Sequence, residues 1–188
     1  MSFWTEASSE PKRNFRFEVQ ITELSGGETV IWWAKNFKTP SYSVSEVTHD
    51  FLDNKYYFPG RLTWDDCTMT LVDPVTPNAA ALTNQIILDS GYKIKDRNST
   101  RETMSKNNAV NQGLGEVVIT IFNADGNPIE KWTLKNAFLK SASYSTLDYA
   151  NDDLRTIDLT FRYDWAECDH PNDSENDKQF VKEPNKVN

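Results

Sequence analysis

The chain has 188 residues, enough for one domain with a substantial core; 38% are hydrophobic, 26% charged and a generous 12% aromatic. Its formal charge of −8 argues against tight binding of free nucleic acid, which such a surface repels unless a basic patch is segregated from it. Two distant cysteines without a CxxC do not suggest a disulfide framework or a zinc site, and both are expected to be reduced.

Residues 1–12 are polar and read as an arm preceding a domain over 13–168. RNFRFEVQITEL then alternates, with Phe15, Phe17, Val19 and Ile21 on one face and Arg16, Glu18, Gln20 and Thr22 on the other. Period-two alternation of this length predicts a half-buried strand. SGGE provides a turn at Gly26-Gly27, so TVIWWAKNF is expected to return as its hairpin partner, ending near Pro40. PSYSVSEVTHDFL and NKYYF read as extended segments broken at Pro59-Gly60.

In RLTWDDCTMTLVDP the apolar positions are Leu62 and Trp64, then Cys67, Met69 and Leu71. The parity slips at Asp65-Asp66, which predicts a β-bulge. VTPNAAALTNQIILDSG is the one good helix. Thr76 is its expected cap, Pro77 its first residue and Gly91 its stop, with Ala79, Leu82 and Ile86 on the inward stripe.

Residues 92–115 form a polar stretch with five basic and two acidic residues. A loop of this length in a compact domain calls for a function, and subunit contact is the favoured one. The cations there are Lys93, Lys95, Arg97, Arg101 and Lys106. EVVITIFN and IEKWTLKNAF predict a hairpin around Asp125-Gly126. LRTIDLTFRYDWAE predicts one strand with Ile157, Leu159, Phe161, Tyr163 and Trp165 inward, and Asp158, Thr160, Arg162 and Asp164 outward. Residues 169–188 are polar, dotted with proline, and expected to be a disordered tail. The longest apolar runs fall well short of the roughly 20 residues a membrane helix requires. The N-terminus lacks the apolar core of a secretion signal, so synthesis and folding in a cytoplasm are expected.

Three constellations could carry chemistry. Asp65 and Asp66 precede Cys67, but neighbours on a regular strand point to opposite faces and cannot share acid–base work. The favoured reading is that they mark a kink and bond to backbone or a basic partner. His49 (beside Asp50) and His170 are too few for a metal cluster, and no nucleophile sits at a recognisable spacing. Trp32, Trp33, Tyr56 and Tyr57 could form a carbohydrate platform, although paired aromatics more often divide between a core and an interface. The strands say more. Each has one apolar and one polar face, with one helix to cover them, and long open edges must be paired or blunted. Joining sheets from several copies into a ring is one solution.

The order of motifs resembles that of tail tube proteins of contractile-tailed bacteriophages. The resemblance rests on NFRFEVQI, then GRLTWDDCTMTLVDP followed by a capped helix, then VVITIFNADGNPIEKWTLKNAF, and finally STLDYANDDLRTIDLTFRYDWAE. It spans roughly residues 13–167. Tubes of type VI secretion and extracellular injection systems share this fold. The resemblance implies an antiparallel β-sandwich or partial barrel with one flanking helix, assembling as hexameric rings stacked into a hollow tube. It implies no enzymatic activity, no cofactor and no membrane contact. The implied partners are a sheath, a baseplate or tube initiator, a tape measure protein, and DNA passing without specific binding. The implied location is the virion, after assembly in the bacterial cytoplasm. The polar faces then supply lumen candidates: Glu18, Gln20, Thr22, Thr68, Thr70, Asp158, Thr160 and Asp164, with Arg16 and Arg162 as positive exceptions. The stretch 92–115 falls where such tubes reach toward a neighbour. Its length and the tail after Asp169 depart from the pattern.

Overall fold

The computed structural model describes residues 10–21, 33–93 and 103–171. The first alternating segment forms β1 (Phe17–Ile21), with Val19 and Ile21 fully buried. Its partner is not the next strand. β1 pairs with β6 (Val117–Phe122), which pairs with β7 (Pro128–Lys135), and β7 pairs with β10 (Trp165–Asp169). β2 (Ala34–Phe37) instead borders a second sheet, in the order β2, β5 (Cys67–Val72), β9 (Thr156–Arg162), β8 (Phe138–Tyr144). The expected first hairpin is therefore divided between two sheets. Alternation requires a buried face but does not name the neighbour that hydrogen-bonds to the edge. Gly26, Gly27 and Trp32 lie outside the described residues.

The apolar faces of the two sheets supply one core. Val19, Ile21, Val117, Ile119, Leu134 and Ala166 come from one side, and Met69, Leu71, Ile157, Leu159 and Phe161 from the other. All pairings are antiparallel and the sheets do not close, so the architecture is the expected open sandwich. The 117–135 hairpin forms as predicted, with Gly126 at φ 80° in its turn. The closing segment, expected as a single strand, is two. The chain turns at Tyr163-Asp164, where the Asp164 amide donates to the Lys135 carbonyl at 3.0 Å, and β10 joins the other sheet. Trp165 thereby leaves the inward face and is 37% exposed, while Ala166 and Cys168 become buried.

β3 (Tyr42–Phe51) and β4 (Asn54–Trp64) form a two-stranded ribbon continuing from β2 and β5. Registration is unbroken across the junction. Phe37 faces Met69, the Lys38 amide donates to the Thr68 carbonyl, the Asp65 amide donates to the Ser41 carbonyl, and Tyr42 faces Trp64. The parity slip at Asp65-Asp66 is thus not a bulge, because a bulge adds a residue to one strand only. Both strands are interrupted opposite each other, and there the ribbon changes the face it turns inward. The expected break at Pro59-Gly60 is a register shift and not a strand end: β4 runs through it, with Val44 facing Leu62 but Glu46 facing Pro59. Among the described residues β4 pairs with β3 alone, so proline is tolerated. A Cβ at Gly60 would lie 2.3 Å from Ser45 Oγ, so the close approach there requires glycine.

α1 (Ala79–Asp89) is capped by Asn78, whose side chain accepts from the Ala81 amide at 2.8 Å. Neither Thr76 nor Pro77 takes its expected role, since the helix starts two residues later than Pro77. Ala79, Thr83 and Ile86 are buried and Leu82 packs against the core, while Gly91 takes φ 98° just beyond the end. The stretch expected as a loop contains structure: α2 (Lys106–Asn108) continues as a π-helical segment (Ala109–Leu114) packed on α1 and β8. Leu114 is fully buried there.

Candidate functional site

The outer face of the β2-β5-β9-β8 sheet is built from short polar side chains in register. Buried Cys67, Met69 and Leu71 on β5 and Ile157, Leu159 and Phe161 on β9 force the intervening residues outward. Asn36, Thr70, Asp158 and Ser143 make one row across the four strands. In it, Thr70 Oγ1 donates to Asp158 Oδ1 at 2.6 Å, and the Thr70 amide donates to Asn36 Oδ1 at 3.2 Å. Thr68, Thr160 and Ser141 form the next row. Ser141 and Ser143 were not singled out in the sequence because β8 itself was not recognised there; its weak alternation is interrupted by a register shift between Leu139 and Ser141.

An ion cluster ends this face. Asp66 accepts from Lys140 Nζ at 2.5 Å and from Arg162 Nη1 at 3.1 Å, and Arg162 also donates to the Trp64 carbonyl at 2.8 Å. The hydrogen bond from Lys140 is the main cause holding the Asp66 carboxyl below its ordinary value. Arg162 therefore carries its own counter-charge, as does Arg16, which meets Glu10 at 2.9 Å.

The remaining lumen candidates lie elsewhere. Glu18 and Gln20 occupy the outer face of the opposing β1-β6-β7-β10 sheet, where Gln20 Nε2 donates to Glu18 Oε1 at 2.7 Å. Asp164 sits in the corner between β9 and β10. It accepts from Lys106 Nζ at 2.5 Å and Asn136 Nδ2 at 2.7 Å, and the Lys106 bond lowers its pKa. Lys106 is thus engaged by its own chain. Lys93 is described but Thr22, Lys95, Arg97 and Arg101 lie outside the described residues. The eight candidates therefore do not form one surface. Thr68, Thr70, Asp158 and Thr160 do.

Asp65 and Asp66 diverge, as adjacent strand residues must. Asp65 accepts from Ser41 Oγ at 3.0 Å, away from the Asp66 cluster. The Cys67 thiol is fully buried, and burial pushes its pKa up to about 11, so it stays protonated and unreactive near neutrality. His49 stands opposite Tyr56 on the ribbon, while His170 Nδ1 lies 3.4 Å from the Ile129 carbonyl. No cluster of three metal-ligating side chains occurs among the described residues. The carbohydrate platform does not assemble: Trp33 is 3% exposed within the core, whereas Tyr56 and Tyr57 are on the projecting ribbon.

That ribbon is the feature the sequence underplayed. Of its 21 strand residues, 10 in β3 and 11 in β4, Trp64 alone is buried. Val47, Phe51, Leu52, Tyr57 and Phe58 are each more than half exposed. A lone two-stranded hairpin is marginally stable in water, and so large an apolar exposure marks an interaction surface.

Solved structures with this architecture come from contractile injection assemblies. The chain matches a chain of the PVC sheath/tube terminator, an extracellular contractile injection system in its extended state, at 18% identity and TM-score 0.61, covering 87% of this chain and 99% of that one. It matches a chain of the anti-feeding prophage baseplate at 14% identity and TM-score 0.60, covering 86% and 97%. A chain of the PVC sheath–tube complex matches at 19% identity and TM-score 0.56, covering 90% and 99%. No protein-family profile matches the chain, and no curated protein sequence matches it. The protein therefore shares its fold, over almost the whole of each compared chain, with components of contractile injection assemblies.

Proposed function

We propose that this protein is a non-enzymatic, self-assembling tube subunit of a contractile tail, forming hexameric rings that stack into a conduit for DNA ejection by a bacteriophage. The observation that carries this reading is the β2-β5-β9-β8 sheet: one face fully committed to the core, the other a continuous field of hydroxyl and carboxylate groups, and β2 and β8 at its borders. Pairing β2 of one copy with β8 of the next would satisfy both borders and extend the polar field around a ring. Such a contact is heterologous, and heterologous contacts close into rings or propagate as filaments. In a wall of threonine, serine and aspartate, the cations Lys38, Lys140 and Arg162 all gather at Asp66 and the rest of the face offers little to anchor phosphates, because binding to DNA is driven by counterion release at lysine and arginine.

In this reading the ribbon and residues 103–115 face neighbouring copies, and the sheath, baseplate and tape measure protein are the further partners. A second reading, a tube subunit of an extracellular injection system, is favoured by the assemblies that supply the similar structures. Negative-stain microscopy of the concentrated protein tests the proposal. Rings or tubes with an open centre are expected; a protein that stays monomeric at every concentration refutes it. Nuclease protection of DNA inside isolated tubes separates the two readings.

A further inference from the structure

We infer that residues 173–181 of this chain lie in the cationic groove between β1 and β2 of the same copy, strapping the open end of the sandwich. The groove is a mouth of the core. Residues at the start of β1 and the end of β2 enclose about 860 Å³, floored by Phe17, Phe37, Ile119 and Ile121. Phe15, 74% exposed, forms its lip. An opening with this much apolar surface calls for a cover. The strap concerns the single copy and stands whether or not the chain builds tubes.

The rim carries Lys12, Arg13, Arg16, Lys35 and Lys38, and among the described residues Glu130 is the one carboxylate lining it. Glu130 is already shared by Lys12 and by the Trp132 indole N–H, which donates to it at 2.5 Å. Arg16 meets Glu10, while Arg13 and Lys35 have no carboxylate partner among the described residues. On a chain of net charge −8 this is a segregated positive patch over an apolar floor. The occupant that fits is an extended segment with both carboxylates and apolar side chains.

The nearest such segment is the chain's own. β10 runs toward the groove end of its sheet: Asp169 faces Lys131, so His170 stands beside Glu130, which faces Ile121, which faces Phe17. That row crosses four strands, and at about 4.8 Å per strand spacing the chain leaves β10 about 14 Å from β1. His170 Nδ1, 3.4 Å from the Ile129 carbonyl, keeps the exit at this row. Residues 172–188, outside the described residues, begin NDSENDKQFV. Asp173, Glu175 and Asp177 alternate with no cation between them, so an extended backbone turns all three carboxylates to one side. Phe180 and Val181 follow. At about 3.3 Å per residue, five residues beyond His170 span the row, which brings Glu175 and Asp177 to the rim and leaves the apolar pair length to spare. A tethered segment acts at an effective concentration on the order of millimolar, so individually weak ion pairs hold it in its own groove.

Cross-linking within one copy, combined with charge exchange, tests this in the full chain. Asn14→Cys, in the groove, and Gln179→Cys, beside Phe180, add thiols to a protein whose own cysteines are buried. A short bismaleimide should join this pair faster than it joins Gln179→Cys to Leu147→Cys, an exposed position on the loop between β8 and β9. Arg13→Glu with Lys35→Glu should slow the groove link about ten-fold, and adding Asp173→Lys with Asp177→Lys should restore it. Salt at about 1 M should slow the same link with no substitution in the rim. Thermal melts unchanged from the parent identify variants that remain folded. Equal rates at Asn14→Cys and Leu147→Cys, a link indifferent to salt, no recovery on charge exchange, or a link that forms only between differently tagged copies would each overturn the inference.

Discussion

Gly113→Ala should destabilise the protein although alanine is the better helix former. Gly113 lies in the π-helical segment where it crosses α1, and its φ is not positive, so the backbone accepts alanine. Propensity alone would favour the change by about 1 kcal/mol. Sterics oppose it. The new Cβ would sit 2.2 Å from Ser90 Oγ and 3.0 Å from the Ile86 carbonyl oxygen. Ser90 is 3% exposed and its hydroxyl donates to that same carbonyl at 2.7 Å, so it cannot swing aside without losing the bond. Overpacking costs about 1–3 kcal/mol and the hydrogen bond about 1 kcal/mol, leaving a net loss of about 2 kcal/mol. For a chain of this size, that lowers Tm by about 4–8 °C in a circular-dichroism melt. Ser90→Ala removes the clashing oxygen, so the double variant should recover at least about 1 kcal/mol relative to the sum of the two single losses. A Gly113→Ala protein as stable as the parent, or strictly additive penalties, would refute the packing argument.

Asp66→Asn should cost under about 1 kcal/mol, because Lys140 and Arg162 are solvated, but it leaves both cations unbalanced on the polar face. Assembled tubes of this variant should bind DNA with a steeper dependence on salt than the parent, measured by filter binding. Alkylation at pH 8 should spare Cys67 and Cys168 in the folded protein, since burial pushes both thiols up to about 11, and should modify both in denaturant. The folded Asp164 carboxylate titrates below its ordinary 3.8, so its bond with Lys106 stabilises the fold above that pH and is lost as pH falls through the folded value. Asp164→Asn should therefore flatten acid unfolding below pH 3.8 in a fluorescence titration, by less than about 1 kcal/mol for so exposed a pair.

Alternation made much of the sheet legible in the sequence. The parity of Ile157, Leu159 and Phe161 against Asp158 and Thr160, and of Met69 and Leu71 against Thr68 and Thr70, follows from a chain that must bury one side of each strand. β8 escaped notice because Phe138–Tyr144 interrupts its alternation with a register shift at Lys140, whose side chain serves the Asp66 cluster instead. The segment after Ser105 looked like loop because its surface is polar. Its burial rests on Ala109, Gly113 and Leu114, too few and too small to make an amphipathic stripe.

By itself the sequence determined which side of most strands is wet, that Asp65 and Asp66 could not act together, and where the 117–135 hairpin turns. Only the tertiary structure decided that β1 and β2 belong to different sheets, that the chain changes sheets at Tyr163-Asp164, and that Glu18 and Thr68 face away from each other across one core. The reason is the range of the forces involved. Side-chain alternation is set within a few residues of each strand, whereas the partner of an edge is chosen by how distant apolar faces pack, and local pattern carries no record of that choice.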